Sequence, residues 1–459
     1  MTFTPGYGTL VSSIHLTCLG KYTPLSRVIY VMIHGDWVIT YVRMDNHTPS
    51  ADFAGTGLAP EILAVLPTLG YTAPTPIQAE TIPVALQGSD VIGIAQTGTG
   101  KTLAFGLAVI NLLLKQEGKG VIIVPTRELA LQVEESIRKI TRLLAPPIRT
   151  VCLIGGMPMY RQIKDLRYNP RIIIATPGRL QDHLRQRTLQ LNDVLITVLD
   201  EADRMFDMGF APQVQELFES LPKTRQTLLF SATMAPEVSR LATTYMHTPV
   251  RVEVATNHEA TRAIAQELCY VPHRSKSEVL AKVLTEHRGT VLVFTRTKLG
   301  AGEVAGRVQA LGHTAAEMHS NLNLGQRKRA LEGFKQGAYR VLVATDVAAR
   351  GIDVQDISLV VNYDLPETAA DYVHRIGRTG RAGKTGRAIT FASPEQQRMV
   401  RSIEQFTKQP ITLSVHSSAQ PAYSGGGAAF SRSSSRFSRP ASRPYRPAQS
   451  NFRGNRSSR

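Results

Sequence analysis

Three carboxylates stand within four residues in VLDEADRMFDMGF (198–210): Asp200, Glu201 and Asp203, directly after the apolar run ITVL. Acidic side chains at the end of a buried run suit either a solvated loop or a site for a metal and a phosphorylated ligand. A second stretch decides between them. AQTGTGKT (95–102) follows the apolar run DVIGI and opens the helical stretch LAFGLAVINLLL. In such a strand–loop–helix setting, glycines let backbone N–H groups turn onto phosphate, and the helix dipole favours negative charge. Lys101 would reach the β- and γ-phosphates and Thr102 a Mg2+ ion, with Thr97, Gly98, Thr99 and Gly100 forming the cradle. Ala95 stands where the usual pattern begins with glycine. Such a loop needs an acidic partner for its metal at a neighbouring strand end. Asp200 would serve the Mg2+, partly through water, and Glu201 would orient or deprotonate the attacking water. The chemistry implied is hydrolysis of a nucleoside triphosphate.

Strands must hold those loops. Short β-branched runs alternate with helical stretches: DVIGIA, GVIIVP, RIIIAT, ITVLDE and TLLFSAT, then TVLVFT, RVLVATD and SLVVNYD. Continuous apolar runs bounded by Gly, Pro or polar residues predict parallel strands buried on both faces. Their alternation with helices predicts an α/β, doubly wound architecture with ligands at the carboxyl ends of the strands. The two series predict two domains, 51–251 and 267–415, joined by a linker over 252–266. Residues 1–50 form an atypical extension with the only tryptophan, Trp37, and no clear helical or strand period. Met44 opens a more natural start, an expectation that N-terminal mass spectrometry of natively expressed protein tests. Residues 416–459 turn to Ser, Arg, Pro and Gly, with no acidic residue beyond Glu404. That composition predicts a disordered basic tail.

The 459 residues suit two or three domains, and 42% hydrophobic content excludes a chain disordered throughout. A net charge of +17 points to a polyanionic partner such as nucleic acid. Cys18, Cys152 and Cys269 lie too far apart for a disulfide framework or zinc site, which suits a reducing cytoplasm. The most apolar segment, 28–42, is short and broken by His34, Gly35 and Asp36, with no cleavage site after it. Neither a membrane span nor a signal peptide is expected. The chain is expected to be soluble and cytoplasmic.

Taken together, the motifs resemble those of the DEAD-box RNA helicases over about 53–413. GYTAPTPIQ (70–78), AQTGTGKT, PTRELA (125–130), Gly155-Gly156, TPGR (176–179), DEAD (200–203) and SAT (231–233) stand in the family's order. VFTRT (293–297), ATDVAARGID (344–353) and HRIGRTGR (374–381) follow. The tract 319–346 is similar to the bacterial RhlE-like branch, with Ser320 where many members have glycine. The resemblance implies two tandem RecA-like domains with parallel sheets, binding ATP, Mg2+ and RNA. Gln78 would read the adenine edge, Phe53 or Tyr71 would stack on its ring, and Asp353 would bind the ribose. Arg378 and Arg381 would reach the γ-phosphate once the domains close. Ser231 and Thr233 would tie Asp203 to closure, with His374 in the same coupling set. Thr126, Arg127, Gly156, Thr176 and Arg179 would grip RNA from the first domain. Arg296, Thr297 and Thr345 would do so from the second. These contacts hold the backbone and its 2′-hydroxyls without reading bases.

In the tail, Arg432, Arg436, Arg439, Arg443, Arg446, Arg453, Arg456 and Arg459 alternate with Tyr423, Phe430, Phe437, Tyr445 and Phe452. Arginines supply counterion release and aromatics supply base stacking, so the tail reads as an RNA tether. The expected function is nonprocessive, ATP-dependent unwinding of short RNA duplexes, with weak ATPase activity when RNA is absent. Two other readings are an ATP-gated RNA clamp that seldom unwinds and a DNA translocase of the wider superfamily. Strand displacement on matched RNA and DNA duplexes separates the three. No membrane partner is expected, and the sequence does not name the protein partners.

Overall fold

The structure is a computed structural model describing residues 28–33, 36–41, 52–95, 98–254, 264–349, 354, 357–380 and 385–417. The first sheet comprises β1 (Val28–Ile33), β2 (Asp36–Tyr41), β3 (Val91–Ile94), β4 (Lys119–Ile123) and β5 (Thr150–Leu153). It continues with β6 (Ile172–Ala175), β7 (Val194–Leu199), β8 (Gln226–Ser231) and β9 (Val250–Glu253). Their order across the sheet is β1-β2-β9-β3-β8-β7-β4-β6-β5. Every pairing is parallel except the β1–β2 hairpin. The second sheet comprises β10 (Ile264–Tyr270), β11 (Val291–Thr295), β12 (Ala315–Met318), β13 (Val341–Thr345), β14 (Leu359–Asn362), β15 (Gly386–Ala392) and β16 (Thr412–Leu413). It is wholly parallel, in the order β12-β13-β11-β14-β15-β10-β16.

The β-branched runs become strands because both faces of each sheet are covered. Along β3, Val91 joins the apolar cluster on one face while Ile92 and Ile94 join the cluster on the other. Gly93 between them is required by packing: a Cβ there would lie 2.6 Å from the Phe230 ring, which itself packs on Phe105 at 5.4 Å. The helix Lys101–Lys115 is buried along most of its length, whereas the helix Arg127–Thr141 is amphipathic. Leu129, Ala130, Val133, Ile137 and Ile140 recur every three or four residues on its buried face. The Thr126 hydroxyl starts that helix by accepting a hydrogen bond from the Leu129 N–H at 3.2 Å.

The expected apolar runs are β3, β4, β6, β7, β8, β11, β13 and β14. The structure adds strands whose sequences hide them. Edge strand β5 alternates half-buried and buried residues instead of running apolar. In β10 the polar Gln266 and Glu267 are engaged by the Tyr372 hydroxyl at 2.9 Å and the Arg387 guanidinium at 2.7 Å. The linker expected over 252–266 is therefore narrower at both ends, since β9 runs to Glu253 and β10 begins at Ile264. Parallel pairing with β3 and β15 recruits these weakly patterned residues. The second domain also reaches past 415, because the Ser417 hydroxyl accepts from the Tyr270 N–H at 3.2 Å. The extension over 1–50, where no period was evident, contributes the β1–β2 hairpin at the edge beside β9. The basic tail from 418 onward, with all its arginines and aromatics, lies outside the described residues. Among the described residues no helix is long and apolar enough to cross a membrane.

Candidate nucleotide and RNA sites

Strand order explains why motifs far apart in sequence meet. The glycine-rich loop follows β3, Ser231–Thr233 closes β8, and Asp200–Asp203 follow β7; in the sheet these three strands are neighbours. On the other half of the same edge, β4, β6 and β5 are neighbours and lead into PTRELA, TPGR and Gly155-Gly156. One sheet edge thus carries the motifs expected for a nucleotide on one half and those expected for RNA on the other, joined where β7 meets β4.

In the nucleotide half, Gly98 and Gly100 adopt left-handed φ values of 91° and 96°. At Gly100 any Cβ would collide with the Gln78 amide. Gln78 donates to the Gly100 carbonyl at 3.0 Å and accepts from the Thr75 N–H at 2.9 Å. Each end of the amide keeps one further hydrogen-bonding position. The Lys101 ammonium is buried and donates to the Ala95 carbonyl at 2.9 Å, folded over the loop. Thr102 is half-buried behind it.

Asp200 is buried at the end of β7, and one of its oxygens accepts the Glu201 N–H at 3.0 Å. Burial pushes its carboxyl up to about 6, against the pull of Lys101 and with added push from Glu201. Glu201 is held at a left-handed φ of 53°, a conformation that costs about 1–3 kcal/mol for a residue with a side chain. Asp203 accepts from both the backbone N–H and the hydroxyl of Thr233, each at 3.0 Å. The Ser231 hydroxyl accepts from the Asp203 N–H at 3.2 Å and donates to the Thr233 carbonyl at 2.8 Å. These hydrogen bonds link Ser231 and Thr233 to Asp203 within the first domain.

A glycine-rich loop, a lysine laid across it and adjacent buried carboxyls fit a nucleotide's phosphates and their metal. Among the described residues no group of three or more His, Cys, Asp or Glu is placed to hold a metal alone. A Mg2+ at Thr102 and Asp200 would complete its shell with phosphate and water oxygens. Phe53 is packed into the core at 4% exposure, and Tyr71 is half-buried against the same cluster. Thr97, Asp353 and Arg381 lie outside the described residues.

In the RNA half, a cleft of about 370 Å³ is lined by Thr126, Arg127, Thr176 and Arg179 of the first domain and Ser320 and Arg327 of the second. The Arg127 guanidinium lies across the glycine pair, so a Cβ on Gly155 would come within 3.1 Å of it. Gly156 needs its freedom for a φ of 82°. Arg179 donates to the Met157 carbonyl at 2.9 Å. Gln162, fully buried, accepts from the Ile154 N–H at 3.1 Å and donates to the Ile154 and Met157 carbonyls at 3.1 and 3.2 Å. Arg296, Thr297 and Thr345 are not among the walls of this cleft. The Arg296 backbone N–H donates to Asp364 at 3.0 Å, and the Thr297 hydroxyl caps the helix Lys298–Ala310.

Two ion pairs join the domains beside these halves, the first buried on both sides and the second with Asp371 half-buried. Arg327 meets Glu128 at 3.1 Å, both 8% exposed, next to the RNA cleft. Arg204, directly after Asp203, meets Asp371 at 3.7 Å. His374, Arg375 and Arg378 line a small crevice with that second pair. Arg375 is held by Asp346 through two contacts of 2.6 Å and lies over the Phe294 ring at 5.1 Å. Sequence reasoning missed Glu128, Gln162, Arg204, Arg327 and Asp371. The four charged residues have their partners in the other domain, which leaves no local trace, and nothing in its own stretch marks Gln162 as buried.

Tandem RecA-like domains, a glycine-rich loop served by buried carboxylates and a cleft continuing across the sheet edge define a nucleic-acid-dependent nucleoside triphosphatase. The chain belongs to the DEAD-box ATP-dependent RNA helicases, and is an RNA-dependent ATPase and helicase by that membership. The DEAD/DEAH box helicase family matches residues 75–241, and the helicase conserved C-terminal domain matches 275–383. The helicase CshA of Bacillus subtilis is 41% identical over 376 residues, covering 81% of this chain and 76% of the relative. The rRNA helicase RRP3 of Candida glabrata is 42% identical, covering 77% and 72%. Among solved structures, S. cerevisiae Dbp5 bound to RNA and ADP BeF3 aligns with a TM-score of 0.72 at 31% identity, covering 80% of this chain and 96% of that one. Mss116p bound to ssRNA and AMP-PNP aligns at 0.75 and 28% identity, covering 82% and 81%.

Proposed function

We propose that the chain melts short RNA duplexes locally by closing the cleft between its two domains on ATP and one RNA strand. The observation that carries this reading is the two interdomain ion pairs, Arg327–Glu128 beside the RNA cleft and Arg204–Asp371 beside Asp203. A charge pair shared by the two domains is matched only where they touch, and loss of either partner leaves the other charge unmatched there. Lys101 would leave the Ala95 carbonyl for the β- and γ-phosphates, while Gln78 reads adenine with its remaining donor and acceptor. Asp200 and Thr102 would hold Mg2+, whose role is to neutralise phosphate charge. Glu201 would take the proton of the attacking water. Arg378, with Arg381, would stabilise charge on the γ-phosphate only when the domains meet, which makes hydrolysis depend on RNA. Thr126, Arg127, Gly156, Thr176 and Arg179 would grip the strand, with Arg296, Thr297 and Thr345 holding it further along, outside the cleft described.

Steady-state phosphate release with and without unstructured RNA tests this reading. Wild type should be strongly stimulated, and Glu201→Gln should lose at least about 100-fold. Indifference to RNA, or survival of activity in the mutant, overturns it. The tract 319–346 supports a place in the RhlE-like branch, which a tree grouping the chain with the CshA proteins would overturn. The free thiols Cys152 and Cys269 support a reducing cytoplasm, which cell fractionation checks.

A further inference from the structure

The helix Met159–Leu166 begins three residues beyond Gly156. Its inner side holds the glycine turn through Gln162, but its outer side has no role in the cleft. Two aromatic rings stand there, one at each end: Tyr160 at 66% exposure and Tyr168 at 55%. Each has a guanidinium over one face. Arg161 lies 5.8 Å from the Tyr160 ring centre and Arg149 lies 5.7 Å from that of Tyr168, both within cation–π range. The braces are reinforced, since Arg161 donates to the Tyr160 hydroxyl at 3.1 Å and Arg149 to the Tyr168 carbonyl at 3.0 Å. Exposed Lys164 and Arg167 lie between the rings, and Asp165 is the only acid from 149 to 171. A solvated basic face needs no rings held in place at both ends. An arginine fixed on one face of a tyrosine leaves the other face open for a base and presents its remaining donors to phosphate. The rings stand near opposite ends of a helix about 12 Å long, enough for successive anchors on one strand.

We propose that this face extends the RNA path: a single strand leaving the cleft at Gly156 crosses the helix Met159–Leu166. Its phosphates lie against Arg161, Lys164, Arg167 and Arg149, and bases stack on the open faces of Tyr160 and Tyr168. This rests on the reading of the 370 Å³ cleft as the RNA site.

The test is fluorescence anisotropy on the full chain with a non-hydrolysable ATP analogue and two uridine oligomers. One, of about 6 nucleotides, stays within the cleft, and the other, of about 15, runs past it. The double variant Tyr160→Ala, Arg161→Ala should bind the longer oligomer about tenfold more weakly and the shorter one as wild type does. Its salt slope on the longer oligomer should flatten by roughly 0.7 for each phosphate it no longer neutralises. Tyr160→Phe keeps the stacking face and should retain wild-type affinity. Unchanged binding of the longer oligomer overturns the proposal, and so does an equal loss on both lengths. Arg179→Ala reports separately on the cleft: it should weaken the short oligomer, and if it does not, the cleft reading itself fails.

Discussion

Asp200 sits at the end of β7 with 3% of its surface exposed, and burial raises its carboxyl from 3.8 to about 6. The folded chain therefore holds a proton that the unfolded chain has released between those values. In the metal- and nucleotide-free protein this contribution to stability is full below pH 3.8, falls as pH rises, and is gone above about 6. Asp200→Asn lacks that loss. Its stability relative to wild type should rise across this window by up to about 3 kcal/mol and then stay level. Thermal melts of both proteins from pH 4 to 8 check it, and a difference that does not change with pH sinks the assignment. The same variant should lose phosphate release, so the site is one where function opposes stability. Glu201 in its left-handed conformation is a second instance. Both were legible as candidate site residues once the glycine-rich loop stood beside them, because acids after an apolar run suit a solvated loop equally well. The strain and the proton were not, since both depend on what surrounds the strand end.

At the scale of elements, the unit that matters most is β5, the glycine turn and the helix Met159–Leu166. Gln162 pins this turn through three backbone groups. Gln162→Leu removes all three partners, and each buried group left unpaired costs about 1–3 kcal/mol unless the loop shifts to water. The turn should open, displacing Gly156 from the RNA side. The expected outcome is a rise of about tenfold in the RNA concentration for half-maximal ATPase, with the KM for ATP unchanged. Equal movement of both constants would mean that Gln162 acts only on stability. The glycine pair was visible in the sequence as a turn near the RNA motifs. Gln162 was invisible because a glutamine at an ordinary helical position carries no sign of burial, and β5 was missed because an edge strand need not be apolar throughout.

For the whole molecule, the two domains meet through Arg327–Glu128 and Arg204–Asp371. A double-mutant cycle on Arg327→Ala and Glu128→Ala isolates the first pair. Each single variant should weaken the mutual enhancement of RNA and nucleotide binding by about 5- to 150-fold. The double variant should lose little more, and ATP binding alone should not change. Additive losses would show that the two residues act separately. The basic composition of the tail gives a second test at this scale. Deleting residues 418–459 removes eight arginines, so RNA affinity should fall and its salt slope flatten while RNA-free ATPase stays the same. Equal affinity with and without those residues would leave the tail no part in RNA capture.

The sequence by itself determined the buried parallel strands, the glycine loop, the acids after β7 and the order of the motifs. Each is local: a continuous apolar run demands burial on both faces, and a glycine-rich loop before a helix has few other uses. Only the tertiary structure decided that β3, β8 and β7 lie side by side, bringing residues 98–102, 200–203 and 231–233 to one place. Strand order comes from how crossover helices pack on the two faces, and no single run encodes it. The same holds for Arg204 with Asp371 and Arg327 with Glu128. Opposite charges far apart in sequence become partners only when the two sheets fold and meet.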